Sequence, residues 1–247
     1  MNLLKTRLPF FAVWPEFASL EGVRVPIKNS PLDPRSRRRL LRGSYEPAER
    51  DLLSKFVEPG DQILELGASI GIVSSFLRRT AGPPGKLVSV EADARLKPAF
   101  DAQLAANGLK AEWVNALACP IWAERVPPDV AAQSFASSDR TLSGRASSAS
   151  TDDAHSPPWM TASEICRMTS LQPTAVMIDI EGSEAVWARR APKFPPTVRL
   201  VLVEFHARLT GSDVSGKAAQ AVIDEGFQIA GLRDEVVAFR RSSRRGL

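Results

Sequence analysis

Apolar positions along this chain follow two rhythms that take turns. Between residues 45 and 61, Leu52, Leu53, Phe56 and Val57 share one helical face; Pro47 suits the first turn and Pro59-Gly60 a stop, so a helix is expected here. The run QILEL (62–66) then predicts a strand. Ile72, Val73, Phe76 and Leu77 mark the inner face of a following helix, and KLVSVEA (86–92) predicts a second strand. Leu96, Phe100 and Leu104 recur one turn apart, with Pro98 near the start and Gly108 at the end of a further helix. Strands are expected again at AEWVNALA (111–118), AVMIDIEG (175–182) and VRLVLVEFH (198–206). SGKAAQAVIDEG predicts a helix ending at Gly226, and FQIAGL with EVVAFR a closing antiparallel hairpin.

Nearly continuous apolar strands suit a parallel sheet covered on both faces. Their alternation with helices predicts an α/β fold: a Rossmann-like, doubly wound, mostly parallel sheet whose five strands and hairpin make seven. Such a sheet binds ligands beyond the carboxyl ends of its strands, at the switch point beside the first. Residues 1–43, rich in Pro and Arg, are expected to be an irregular extension, and 44–247 one domain. Within it, 120–160 is dense in Ser, Thr, Pro and Ala without periodicity. It leaves the ligand side of the sheet, as a lid or as a surface loop.

Charge and cysteine content narrow this picture further. Net charge is +4, with acid-free runs RSRRRLLR (35–42) and RRSSRR (240–245). Without interleaved aromatics or a nucleic-acid motif, these read as solvated surface, and no nucleic-acid partner is expected. Cys119 and Cys166 lack disulfide-framework and zinc spacing and read as buried thiols. The apolar stretch at the N-terminus is short and broken by Pro9 and Pro15. No membrane span and a cytoplasmic location are therefore expected.

The candidate chemistry starts at ILELGASIG (63–71). Gly67 opens the turn after the first strand and Gly71 begins the next helix; a backbone without Cβ can come close to a ligand. The dinucleotide fingerprint G-x-G-x-x-G fails, because Ser69 and Ile72 occupy its second and third glycine positions, which disfavours a nicotinamide-dependent reductase. Glu91, ending the second strand, is placed to accept hydrogen bonds from two ribose hydroxyls. Together these residues resemble the S-adenosylmethionine (SAM) site of class I methyltransferases, in which an acid at the position of Glu65 orients the amino-acid end of the cofactor.

The resemblance narrows along the chain. GSYEPAERDLLSKFVEPGDQILELGASIG is similar to the lead-in and first motif of FkbM-type methyltransferases, VNALA (114–118) to their third strand, MIDIEGSEAVW (177–187) to their most particular block, and LVEFH (202–206) to their fifth strand. It covers roughly 43–240 apart from much of 120–160. It implies a class I methyltransferase fold, SAM as methyl donor, and O-methylation of a hydroxyl on a sugar or small natural-product-like acceptor. The implied cofactor-binding residues are Glu65, Gly67, Ala68, Ser69, Gly71, Glu91, Ala92, Asn115, Ala116 and Tyr45. Glu65 stands where Asp is commoner, Ser69 where Asn is frequent, and Met177 where Lys is usual.

Removing the proton of an attacking hydroxyl calls for a base. His206 ends the fifth strand on the ligand side and is the candidate, or else a histidine bonded to a neighbouring loop; His155 reads as surface. Asp179 and Glu181 point the same way along the fourth strand, Gly182 permits the turn that follows, and Glu184 caps a helix or joins the acids. Asp179, Glu181 and His206 are the expected catalytic set. The acids could also hold a divalent cation with Glu204, although no metal site is predicted. The competing reading is a non-catalytic scaffold that keeps the fold and the nucleoside site.

Overall fold

Seven strands carry the molecule, and their side chains divide by parity. The computed structural model describes residues 14–28, 30–136, 145–147 and 156–241, the side chains of 134–136 and 145–147 excepted. In chain order the elements are β1 (Phe17–Leu20), β2 (Val23–Pro26), α1 (Pro34–Leu41), α2 (Pro47–Phe56), β3 (Gln62–Leu66), α3 (Ile72–Ala81), β4 (Lys86–Glu91) and α4 (Lys97–Ala105). Next come β5 (Glu112–Asn115), β6 (Leu117–Cys119), α5 (Pro128–Ala131), β7 (Ser134–Ala136), β8 (Arg145–Ser147), β9 (Trp159–Thr161) and α6 (Ala162–Met168). The rest are β10 (Ala175–Ile178), β11 (Leu200–Glu204), α7 (Ala207–Thr210), α8 (Ser212–Asp224), β12 (Phe227–Arg233) and β13 (Val236–Arg241).

The main sheet runs β12-β13-β11-β10-β3-β4-β5. β3 pairs in parallel with both β4 and β10, so the switch point lies at the carboxyl end of β3. β13 runs antiparallel between β11 and β12, closing the sheet as the sequence pattern predicts. Ile63, Leu87, Ala175, Met177, Leu200 and Leu202 pack on the face covered by the β1–β2 hairpin, α2 and α3. Leu64, Val88, Val176, Ile178, Val201 and Val203 pack on the other, under α6 and α8. The apolar runs are thus two interleaved period-two patterns, one for each core.

Three local expectations change. The described part of 1–43 is not irregular: β1 and β2 form a hairpin whose Val23 and Val25 are fully buried, followed by α1. α1 holds most of the first arginine run; Arg37 donates to the Leu32 and Ser30 carbonyls, and Leu40 is buried. The expected strand 111–118 breaks at Ala116: β5 stays in the main sheet while β6 leaves it to pair with β9. Within 120–160, Ile121 and Val130 are buried in the core, so its start belongs to the body of the domain. Residues 137–144 and 148–155, with His155, lie outside the described residues, as does 242–247, which includes most of the second arginine run. No helix among the described residues is long and apolar enough to cross a membrane.

Candidate active site

The turn after β3 takes a left-handed backbone three times, with φ of 91° at Gly67, 48° at Ser69 and 82° at Gly71. The Gly67 and Ala68 N–H groups both donate to the Val90 carbonyl, which folds the turn back over β4. The glycines answer to the protein itself. A Cβ on Gly67 would lie 1.7 Å from the Asp179 carbonyl oxygen, where the end of β10 crowds the turn, and one on Gly71 would lie 2.8 Å from the Phe100 ring. The close approach expected between Gly67 and a ligand is therefore, in this structure, an approach to the neighbouring strand.

Glu65 faces the hairpin side of the sheet, beside Ser89 of β4 and beneath Ser74 of α3. Its Oε2 accepts from Ser89 Oγ at 2.6 Å and from Ser74 Oγ at 2.7 Å, while its buried Oε1 has no partner. Burial dominates and pushes its pKa up to about 7, against the opposing effect of the two serine hydrogen bonds.

Glu91, half-buried at the end of β4, accepts from the Ser69 N–H and from the Asp93 N–H, each at 2.8 Å. One bond per oxygen leaves lone pairs on both. Burial raises its pKa. Asn115 Nδ2 donates to the Glu91 and Ala92 carbonyls at 2.9 Å each, so it pins the chain leaving β4. Ala92 is half-buried, whereas Ala68 and Ala116 are buried packing residues. Tyr45 is buried ahead of α2; desolvation, then the charges of Glu46 and Asp179, raise its pKa.

Asp179 and Glu204 follow the same parity as Glu65, on adjacent strands and on the face that α2 covers. There they meet two acids that the sequence pattern did not single out, Glu46 and Glu49 at the start of α2. One carboxylate oxygen each of Glu46, Glu49 and Glu204 lies within 4.8 Å of the others, and ligand atoms of Asp179, Glu181 and His206 form a second such group. Glu49 stands three residues after Glu46 and is 4% exposed. A charged residue on the buried stripe of an amphipathic helix was the available signal. Burial raises the pKa of Glu46, Glu49 and Glu204.

His206 is held from three sides: Nε2 lies 3.4 Å from Asp179 Oδ1 and 3.6 Å from Glu181 Oε2, and Nδ1 lies 3.3 Å from Glu184 Oε1. Burial alone would lower its pKa, but hydrogen bonding to Asp179 and Glu184, with their charges, raises it to about 11. The shift favours the protonated imidazolium, which has no free lone pair, where the expectation was of a neutral base. Glu184, 1% exposed, bonds the Gly182 and His206 N–H groups rather than facing solvent. The Asp179 and Glu181 side chains are 37% and 30% exposed and form the open side of the group.

The fold is that of class I methyltransferases, and solved structures of that fold match the chain. A protein described as a SAM-dependent methyltransferase, from Streptococcus mutans, matches with TM-score 0.50 and 11% identity over 91% of this chain and 55% of that one. Fibrillarin of Aeropyrum pernix, solved with natively bound SAM, matches at 0.45 and 15%, over 77% of this chain and 72% of that one. A protein described as an rRNA-methylase, from Clostridium thermocellum, matches at 0.42 and 12%, over 79% and 94%. No protein-family model matches the chain, and no curated protein does. The expectation that no nucleic acid is a partner is withdrawn, since a protein named for rRNA methylation is among the matches.

Proposed function

We propose that this chain is a SAM-dependent methyltransferase of the FkbM kind that methylates a hydroxyl oxygen. The observation that carries the reading is Glu91: it ties the Ser69 turn to the end of β4 at the switch point and keeps lone pairs free for a diol. The partnerless Oε1 of Glu65, below the same turn, suits the ammonium end of the cofactor, directly or through water. When bound, SAM supplies an electrophilic methyl group on a positively charged sulfur. The chain's part is to hold the acceptor oxygen in line and to take its proton. Asp179 or Glu181 would take the proton of the acceptor hydroxyl as it attacks the methyl group. Both side chains are partly exposed, which supports this role, and His206 beside them would orient them as a positive partner.

Calorimetry with S-adenosylhomocysteine and, separately, with NAD tests the cofactor half. The first should bind and the second should not; the reverse ends the reading. Glu91→Ala should weaken S-adenosylhomocysteine by about 1.5–3 kcal/mol, the range for hydrogen bonds to a charged group. Unchanged affinity in a folded variant would remove Glu91 from the site. For the acceptor, release of S-adenosylhomocysteine is followed over sugars, small hydroxylated compounds and RNA in parallel.

A further inference from the structure

We propose that one face of α1 binds the phosphate backbone of RNA. Arg35, Arg38, Arg39 and the C-cap Arg42 stand at i, i+3, i+4 and i+7, which puts them in a single stripe along the helix. Leu40, which is buried, and Arg37, which is tied to the Leu32 and Ser30 carbonyls, belong to the opposite face. Arg35, Arg38 and Arg42 are exposed and Arg39 is half-buried. From Arg35 to Arg42 the helix rises about 10 Å. One strand of a duplex places about three phosphates in that length.

Ordinary solvated surface is the competing account of a basic face, and the other helices show what such surface looks like in this protein. α2, α4 and α8 each pair a lysine with an aspartate one turn away: Lys55 with Asp51 at 2.8 Å, Lys97 with Asp101 at 2.7 Å and Lys217 with Asp213 at 2.8 Å. The stripe on α1 has no such pair. The acid at its N-cap, Asp33, is taken up by the Arg35 and Ser36 N–H groups and by Ser36 Oγ. Among the described residues no acid forms an ion pair with any of the four arginines. Like charges three and four residues apart destabilise a helix, so the stripe acts against the stability of α1 until an anion lies along it. The stripe also borders the candidate site. Arg39 lies over the Tyr45 ring, 5.6 Å from its centroid, and Arg42 leads through Gly43 and Ser44 into Tyr45 and Glu46, whose carboxylate is within 4.8 Å of that of Glu204.

RNA is named rather than DNA because each of its riboses carries a free hydroxyl. A strand along the stripe would bring such a hydroxyl to the site; this acceptor role rests on the methyl-transfer reading, but the backbone contact does not. Fluorescence anisotropy of a single-stranded RNA of mixed sequence, measured with the full chain between about 50 and 200 mM salt, tests the contact. Affinity should fall as salt rises. Arg35→Gln, Arg38→Gln and Arg42→Gln together should flatten the plot of log affinity against log salt by about 2, since each contact to a single strand contributes about 0.7. At 0.1 M salt the same loss is about a hundredfold in affinity. Three exposed arginines elsewhere, Arg125, Arg167 and Arg189, supply a control of equal charge that should stay near wild type. Circular dichroism checks folding, and Arg42→Gln alone, with a change of about 0.7, serves if the triple variant unfolds. No RNA binding at the lowest salt overturns the proposal, as does a folded stripe variant that binds like wild type or a control that loses as much. Binding to phosphatidylserine vesicles without RNA binding also overturns it and makes the stripe a membrane contact. Calorimetry with S-adenosylhomocysteine tests the methyl-transfer reading separately, and the stripe variant should keep wild-type affinity there. S-adenosylhomocysteine binding without RNA binding leaves that reading standing alone, and the converse leaves the RNA contact alone. With both bound, S-adenosylhomocysteine should be released from SAM on RNA and not on DNA of the same sequence; release on neither overturns the acceptor role.

Discussion

At the scale of single residues, burial decides what each acid does. Glu65 would be a poor place for a charge without its two serines, and its pKa still rises from 4.5 to about 7. A raised carboxylate pKa means that the folded state binds the proton more tightly than the unfolded chain. Its stabilising contribution is complete below about 4.5 and is lost as pH climbs through 7. Cofactor-free wild-type protein should therefore lose stability between about pH 5 and 8, and Glu65→Gln should flatten that fall by up to roughly 3 kcal/mol. Parallel urea titrations at both pH values check it, and equal slopes for the two proteins would show Glu65 titrating normally. Gly67→Ala should destabilise by about 2–4 kcal/mol, since it combines a left-handed backbone with a collision against a carbonyl. A variant as stable as wild type would mean that β10 can yield at Asp179.

At the scale of elements, the edge of the sheet opposite the site is held by one buried acid. Asp61, 5% exposed ahead of β3, accepts from the Glu58 N–H, from Thr174 Oγ1 at 2.6 Å and from the Arg199 guanidinium. It thereby ties the starts of β3, β10 and β11. Asp61→Ala should cost about 1.5–3 kcal/mol, because charged hydrogen bonds are lost and Arg199 keeps only the exposed Glu58 as a charged partner among the described residues. The loss should appear in thermal melts while S-adenosylhomocysteine affinity stays near wild type. A large change in that affinity would mean that the two edges of the sheet are coupled. Elements whose apolar residues kept one period were readable before folding, as in α2, α3 and β10. β5 and β6 were not, because 111–118 is uniformly strand-like and only the pairing of β6 with β9 draws the chain out of the sheet at Ala116.

At the scale of the whole molecule, the carboxyl edge of the sheet concentrates the turn, Glu91 and the acids, while the opposite edge holds Asp61, Thr174 and Arg199. Hydrogen exchange with saturating S-adenosylhomocysteine should slow at the amides of 67–71 and 91–93 and leave Gln62 and Thr174 unchanged. Equal protection at both edges would point to global stabilisation rather than to a site at the switch point.

The sequence by itself determined the layers and the closing hairpin, and that the glycine turn and the acids fall at the carboxyl ends of the strands, because strand parity, helical period and turn residues are local properties that survive folding unchanged. It also marked Glu65, Glu91, Asp179, Glu181 and His206 as residues of interest. Only the tertiary structure decided what the carboxylates meet. Glu46 and Glu49 come to Glu204 across more than 150 residues of chain. The pKa of His206 is raised because acids from the end of β10 and the turn after it surround it. Gly67 is a glycine because a neighbouring strand ends against it. Each depends on the distance between groups remote in the chain, and electrostatic and steric energies depend on that distance rather than on spacing along the chain.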